Sequence, residues 1–108
     1  YTIMISFLKK IFTFVSQLTS LLSKLNEIKV QNGKILSEIK KNGKFSNINE
    51  TEFKVFSQFG EDGLIQHLIN NLKISKKCFV EFGVENYEEA NTRFLLENNN
   101  WSGLIIDS

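Results

Sequence analysis

Proline is absent from the 108 residues, cysteine, histidine, methionine and tryptophan each occur once, and the charges nearly cancel, with thirteen basic against twelve acidic side chains. Each scarcity excludes something. Without proline, turns fall to glycine and asparagine. A single Cys78 allows no disulfide framework and no cysteine-rich metal site within the chain. His67 has no cysteine or second histidine nearby, so no metal site is expected. A net charge of +1 with scattered lysines and no interleaved aromatics gives no electrostatic case for nucleic acid. No apolar run approaches the ~18 residues of a spanning helix. A cleaved signal is not expected either, because Lys9 and Lys10 follow the apolar opening and Ser16, Gln17, Thr19 and Ser20 dilute what comes next.

What is present divides near Asn49. Met4, Leu8, Ile11, Val15, Leu18, Leu22 and Leu25 alternate steps of four and three, the heptad spacing that lays one apolar seam along a helix. Ile5, Phe7, Phe12, Phe14 and Leu21 widen that seam, so self-association through a coiled coil or bundle and contact with a membrane surface both fit residues 1–41. Lys29, Asn32 and Gly33 interrupt the register before Leu36 and Ile39 resume it, which predicts a weakened helix there. Six lysines against Glu27 and Glu38 between residues 24 and 44 read as a solvated face. Asn42-Gly43 and the aperiodic stretch behind it predict a linker over 42–52.

The remainder, 53–108, reads as alternating α and β. Leu64, Ile65, Leu68, Ile69 and Leu72 recur at helical spacing opposite Gln66, His67, Asn70 and Asn71, with Ser57 placed to cap and Glu61 and Asp62 in the early turns. Cys78 to Phe82 is an apolar run broken only by Glu81, as in a parallel strand buried on both faces. Cys78 is expected to be buried and reduced, which suits a cytoplasmic setting, with membrane association through the first segment as the alternative. Asn86 and Glu89 form a capping box for a helix with Tyr87, Ala90, Phe94 and Leu95 on its inner stripe. Asn98-Asn99-Asn100 ends it, and Leu104 to Asp107 forms a second strand. Two strands and their helices cannot close a parallel core, so the chain reads as the N-terminal part of a larger protein, with Tyr1 an arbitrary start.

Glu81 is costly to bury without a partner, and in doubly wound folds ligands lie beyond the carboxyl ends of strands, which places it beside Gly83 in a cleft. Asp107, ending the second strand, can accept hydrogen bonds from ribose hydroxyls. Taken in order, Ser57-Gln58-Phe59-Gly60-Glu61-Asp62-Gly63, Phe79-Val80-Glu81-Phe82-Gly83, Asn91-Thr92-Arg93-Phe94-Leu95, Asn100-Trp101-Ser102-Gly103 and Ile105-Ile106-Asp107 resemble the opening of FkbM-type, class I S-adenosylmethionine-dependent methyltransferases. The resemblance covers roughly residues 56–108 and leaves 1–50 outside.

The resemblance implies a partial Rossmann-like methyltransferase sheet, its first two parallel strands with their helices, preceded by the long N-terminal helix. It implies S-adenosylmethionine as cofactor, held by Glu81, Gly83, Val84, Glu85, Asn86 and Asp107, and a flanking cleft with Ser57, Gln58, Glu61, Asp62, Asn91 and Thr92. Methyl transfer to a hydroxyl oxygen of a small molecule or sugar is the implied activity. The catalytic base is not assigned, and the isolated chain is expected to be inactive. Where the family turn carries further glycines, Glu85 and Tyr87 stand here. Acids in the turn repel a phosphate and suit a cationic sulfonium, which favours S-adenosylmethionine over a dinucleotide. The competing reading is a non-catalytic helical interaction module carrying a Rossmann-like remnant.

Overall fold

A computed structural model describes residues 1–107. Its longest element is one unbroken helix, α1, Thr2–Lys41, which stretches the molecule to 66 × 32 × 21 Å. The interruption at Lys29, Asn32 and Gly33 is therefore a change of face, with no break. Up to Leu25 the apolar seam meets solvent; beyond it the inward positions become Asn26, Val30, Gly33, Ser37 and Lys40, again in steps of four and three but displaced by one residue. Gly33 is the contact point. A Cβ added there would sit 2.5 Å from Val55 Cγ2 and 2.8 Å from the Phe94 ring, so only glycine lets the helix lie this close to the body.

The segment 42–52 turns the chain back along α1 and carries a 3-10 turn, Ile48–Thr51. Lys40 Nζ holds it by donating to the carbonyls of Glu50 (2.5 Å) and Glu52 (3.0 Å), and Thr51 is fully buried. Phe53, Val55, Phe56 and Phe94 then form the small core, with Val30 and Leu36 of α1 packed on it and the Phe53 and Phe94 rings edge to face at 6.1 Å.

Helix α2, Glu61–Asn71, turns the edge carrying Asp62, Gly63 and Gln66 inward and leaves Asn70 and Asn71 exposed. Its buried residues are Asp62, Gly63 and Gln66, whereas Leu68 and Leu72 are exposed. An amphipathic helix ordinarily buries its apolar stripe. Here Gly63 decides the orientation: its N–H donates to the Phe53 carbonyl at 3.1 Å, bringing that side of α2 against the chain at 51–53. Gln66 then bridges three helices, accepting from Ser37 Oγ of α1 (3.2 Å) and donating to Asn99 Oδ1 (2.6 Å) at the end of the helix Arg93–Asn99.

Strands β1, Cys78–Phe82, and β2, Ser102–Ile106, pair in parallel with Cys78 opposite Ser102 and Phe82 opposite Ile106. Helix α3, Arg93–Asn99, makes the crossover and ends at Asn100 in the left-handed region. The architecture is thus mixed α/β: a long N-terminal helix and two parallel strands with their helices. Two expectations fail here. Cys78 is exposed, because it shares with Val80 and Phe82 the sheet face that nothing among the described residues covers. The helix expected from Asn86 starts at Arg93 instead, since Tyr87 takes φ +62°, which a right-handed helix cannot contain. Asn86 does act locally, accepting the Glu88 N–H at 3.1 Å as an Asx turn.

Candidate functional site

Gly83 and Asp107 meet at the carboxyl ends of the paired strands. The Gly83 N–H donates to the Ile106 carbonyl at 2.9 Å, extending the ladder one residue past β1 and setting Gly83 beside the residue preceding Asp107. Gly83 takes φ +73°, and a Cβ there would have nothing within 4 Å. An alanine would fit the space but not the backbone, so the position combines an open approach with a conformation that favours glycine. Val84 turns inward and is buried, while Glu85, Asn86 and Asp107 remain exposed.

Glu81 has a different occupation from a cleft carboxylate. Its Oε1 accepts the Asn91 N–H (2.9 Å), and its Oε2 accepts the Thr92 N–H (3.0 Å) and the Thr92 hydroxyl. Both oxygens are thus engaged by the residues that open α3, where unpaired amides and the helix dipole favour an anion. The partner that its partial burial demanded is the chain itself. Glu81 shapes the loop 83–92 from beneath and is neither a free base nor a free ligand group in this arrangement.

Tyr87 completes that knot, its hydroxyl 2.9 Å from Thr92 Oγ1. Partial burial raises the Tyr87 pKa above the ordinary phenol value, with the nearby Glu81 and Glu97 charges adding to the shift. Arg93 closes the outer side: it pairs with Glu97 at 2.9 Å, donates through Nη1 to the Glu88 carbonyl at 2.9 Å, and lies 3.9 Å over the Phe56 ring. The i,i+4 spacing of Arg93 and Glu97 was visible in sequence; the stacking on Phe56 had no sequence signal.

A second carboxylate knot lies on the other side of the core. Asp62, almost wholly buried, accepts through Oδ2 from the backbone N–H groups of Val55 (2.7 Å), Phe56 (2.8 Å) and Ser57 (2.8 Å) and from Ser57 Oγ (2.8 Å). Ser57 Oγ accepts in turn from the Asp62 N–H at 3.1 Å, so Ser57 serves the start of α2 from outside the cap position, which Gly60 occupies. The Glu61 carboxylate is held below its ordinary pKa first by its own backbone N–H and then by that of Phe59, which donates to Oε2 at 2.9 Å. Gln58 is exposed. Ala90 N–H donates to the Phe56 carbonyl at 3.3 Å and joins the two knots.

The structure therefore gathers Glu81, Asn91 and Thr92 in one cluster, and Ser57 and Asp62 in another, while Gly83 and Asp107 mark a third place at the strand tips. Among the described residues, no group of histidine, cysteine and carboxylate side chains could hold a metal ion. Comparison with protein-family models, curated proteins and solved structures finds no match.

Glu81→Gln is expected to leave the fold in place and loosen the loop. One of the two side-chain positions then carries an amide N–H facing the Asn91 or Thr92 N–H, at a cost of about 1–3 kcal/mol. Hydrogen exchange of the Asn91 and Thr92 amides should accelerate roughly tenfold or more, with the amides of α2 unchanged. Equal protection in the variant would show that Glu81 does not fix this turn.

Proposed function

We propose that the chain is the N-terminal portion of an S-adenosylmethionine-dependent methyltransferase of the FkbM type, acting on a hydroxyl oxygen of a small molecule or sugar. One observation carries the reading: two neighbouring parallel strands end side by side at Gly83 and Asp107, with an open approach to the Gly83 backbone. In that role Asp107 receives the adenosine ribose hydroxyls and the 83–86 turn packs along the methionine part of the cofactor. Glu81 positions the turn through Asn91 and Thr92 instead of touching the cofactor. Further strands of a Rossmann-like sheet would pair at the strand edges and supply the adenine and acceptor contacts.

The chemistry asks for alignment of an acceptor oxygen with the sulfonium methyl group and exclusion of water. Electrostatics support a cationic ligand over a phosphate. Glu81 is already balanced by its donors, but Glu85, Glu88 and Glu89 stand exposed around the turn. Ser57 and Asp62 belong to the scaffold in this reading, holding 53–57 against α2 so that the loop can rest on Phe56.

The engagement of Glu81 and the Tyr87 hydroxyl with Thr92 also favours a second reading, a non-catalytic scaffold whose turn is closed on itself. Calorimetry separates the two. Titrating S-adenosylmethionine and, in parallel, NAD into the complete polypeptide carrying these residues should give heat with the first only, and Asp107→Ala should weaken binding at least tenfold, the worth of about 1.4 kcal/mol. Absence of heat with either ligand would leave the scaffold.

A further inference from the structure

The first 26 residues contain Lys9, Lys10 and Lys24 and no carboxylate; Glu27 is the first acid of the chain. In α1 residues 2–21 project beyond the body, and every one of residues 1–25 is exposed. At about 100° per residue, Met4, Phe7, Leu8, Ile11, Phe12, Phe14, Val15, Leu18, Leu21, Leu22 and Leu25 fall within one arc of roughly 200°. Ser6, Lys9, Thr13, Ser16, Gln17, Ser20 and Lys24 fill the opposite side, with Lys10 at the border. From this arrangement we infer that residues 2–21 form an in-plane anchor which lies on an anionic phospholipid bilayer.

Three observations select that occupant. The lysines are uncompensated within the segment, so the polar side is complementary to anionic headgroups while the phenylalanines reach the acyl boundary. Thr19, the one hydroxyl that falls inside the apolar arc, donates to the Val15 carbonyl at 2.9 Å and so presents a satisfied group to an apolar medium. The apolar arc takes four of the seven heptad positions, and the flanks that carry paired charges in a two-stranded coil hold Ile5, Phe7, Phe12, Phe14 and Leu21.

A crossing orientation fits less well. By length and composition α1 is long and apolar enough to pass as a span. Only residues 11–23 lie between Lys10 and Lys24, however, about 20 Å of helix against a hydrocarbon core of about 30 Å. Leu22 and Leu25, at the end of the apolar arc, line a groove with Val55, Phe56, Glu88 and Glu89 of the body, so the bilayer contact is confined to the turns of α1 before Leu22. The inference is independent of the methyltransferase reading.

The test is flotation of the full chain with vesicles of phosphatidylcholine alone and of phosphatidylcholine with 30% phosphatidylglycerol, as a chosen composition giving an anionic surface. The chain should float with the anionic vesicles. Lys9→Gln/Lys10→Gln/Lys24→Gln should weaken partitioning about 100-fold, at roughly fivefold per lysine. Phe7→Ser/Phe12→Ser/Phe14→Ser should abolish it, with circular dichroism checking that the rest of the chain stays helical. A membrane-impermeant amine reagent added outside sealed vesicles should label both Lys10 and Lys24. A protected Lys10 or Lys24 would indicate a span, and concentration-dependent oligomers in ultracentrifugation without flotation would indicate a bundle of copies; either result overturns the inference, as does binding that ignores lipid charge.

Discussion

Asp62→Ala is expected to abolish the folded body between Phe53 and Trp101. The substitution leaves the N–H groups of Val55, Phe56 and Ser57 and the Ser57 hydroxyl without their acceptor in the interior. At about 1–3 kcal/mol for each orphaned buried group, the loss is about 4 kcal/mol or more. Stabilities of small domains begin at about 5 kcal/mol, so little would remain. Trp101, buried beside this core, supplies the readout: its emission should shift to the wavelength of an exposed indole in the variant at temperatures where the parent is folded. Helicity from residues 2–26 need not vanish with it, so the fluorescence is the decisive signal. Native-like Trp101 emission and an unchanged melting temperature would show that the Asp62 knot is not what closes the fold.

Gly63→Ala should have an effect of similar size by a different mechanism. A Cβ at this position would overlap the Thr51 carbonyl oxygen and the Phe53 nitrogen and sit 2.7 Å from Phe53 Cδ1. Two of those neighbours are backbone, which cannot rotate aside. Alanine would gain up to about 1 kcal/mol of helix propensity in α2, yet separating α2 from 51–53 breaks the bond from the Gly63 N–H to the Phe53 carbonyl and opens the Phe53–Phe94 core. A net destabilisation of about 2–4 kcal/mol follows from overpacking against rigid atoms. Urea unfolding monitored at Trp101 should show the midpoint move down. A stabilised variant would mean that propensity outweighs the close approach, and that α2 does not lie where Gly63 puts it.

These two residues show what the sequence could and could not express. Both stand in the Ser57–Gly63 stretch that carried the family resemblance; Asp62 was legible as helix-start chemistry and as a cleft candidate, and Gly63 only as part of that stretch. Asp62 in an early turn looks like an ordinary dipole partner; that it gathers three amides from the preceding segment depends on how 53–57 folds back, a non-local fact. The strands were readable because a short apolar run bounded by Lys76-Lys77 and Gly83 leaves few alternatives, and β1 and β2 lie within a residue or two of the expected limits. The long helix was readable from its heptads. Its change of face at Asn26 was not, because Gly33 looks like a weak point until Val55 and Phe94 are seen pressing on it.

Helix α2 misleads in the opposite way. Its periodicity is clear, but the periodicity gives only the two faces, and what is buried is the edge between them, Asp62, Gly63 and Gln66, while Asn70 and Asn71 on one side and Leu68 and Leu72 on the other meet solvent. Glu81 was recognisable as a carboxylate in need of a partner. Nothing local says that the partner is ten residues downstream at Asn91 and Thr92, since that contact exists only once Tyr87 has taken its left-handed turn.

The adjacency of the Gly83 and Asp107 tips is the feature on which the functional reading stands, and amide chemical shifts test it directly. In the complete polypeptide carrying these residues, labelled with nitrogen-15, addition of S-adenosylhomocysteine should move the amides of Gly83, Val84, Glu85 and Asp107 together, along one saturating curve, and leave those of Ser57 and Asp62 in place. Shifts confined to other parts of the chain, or no shifts at millimolar ligand, would contradict an adenosyl site between these two strands.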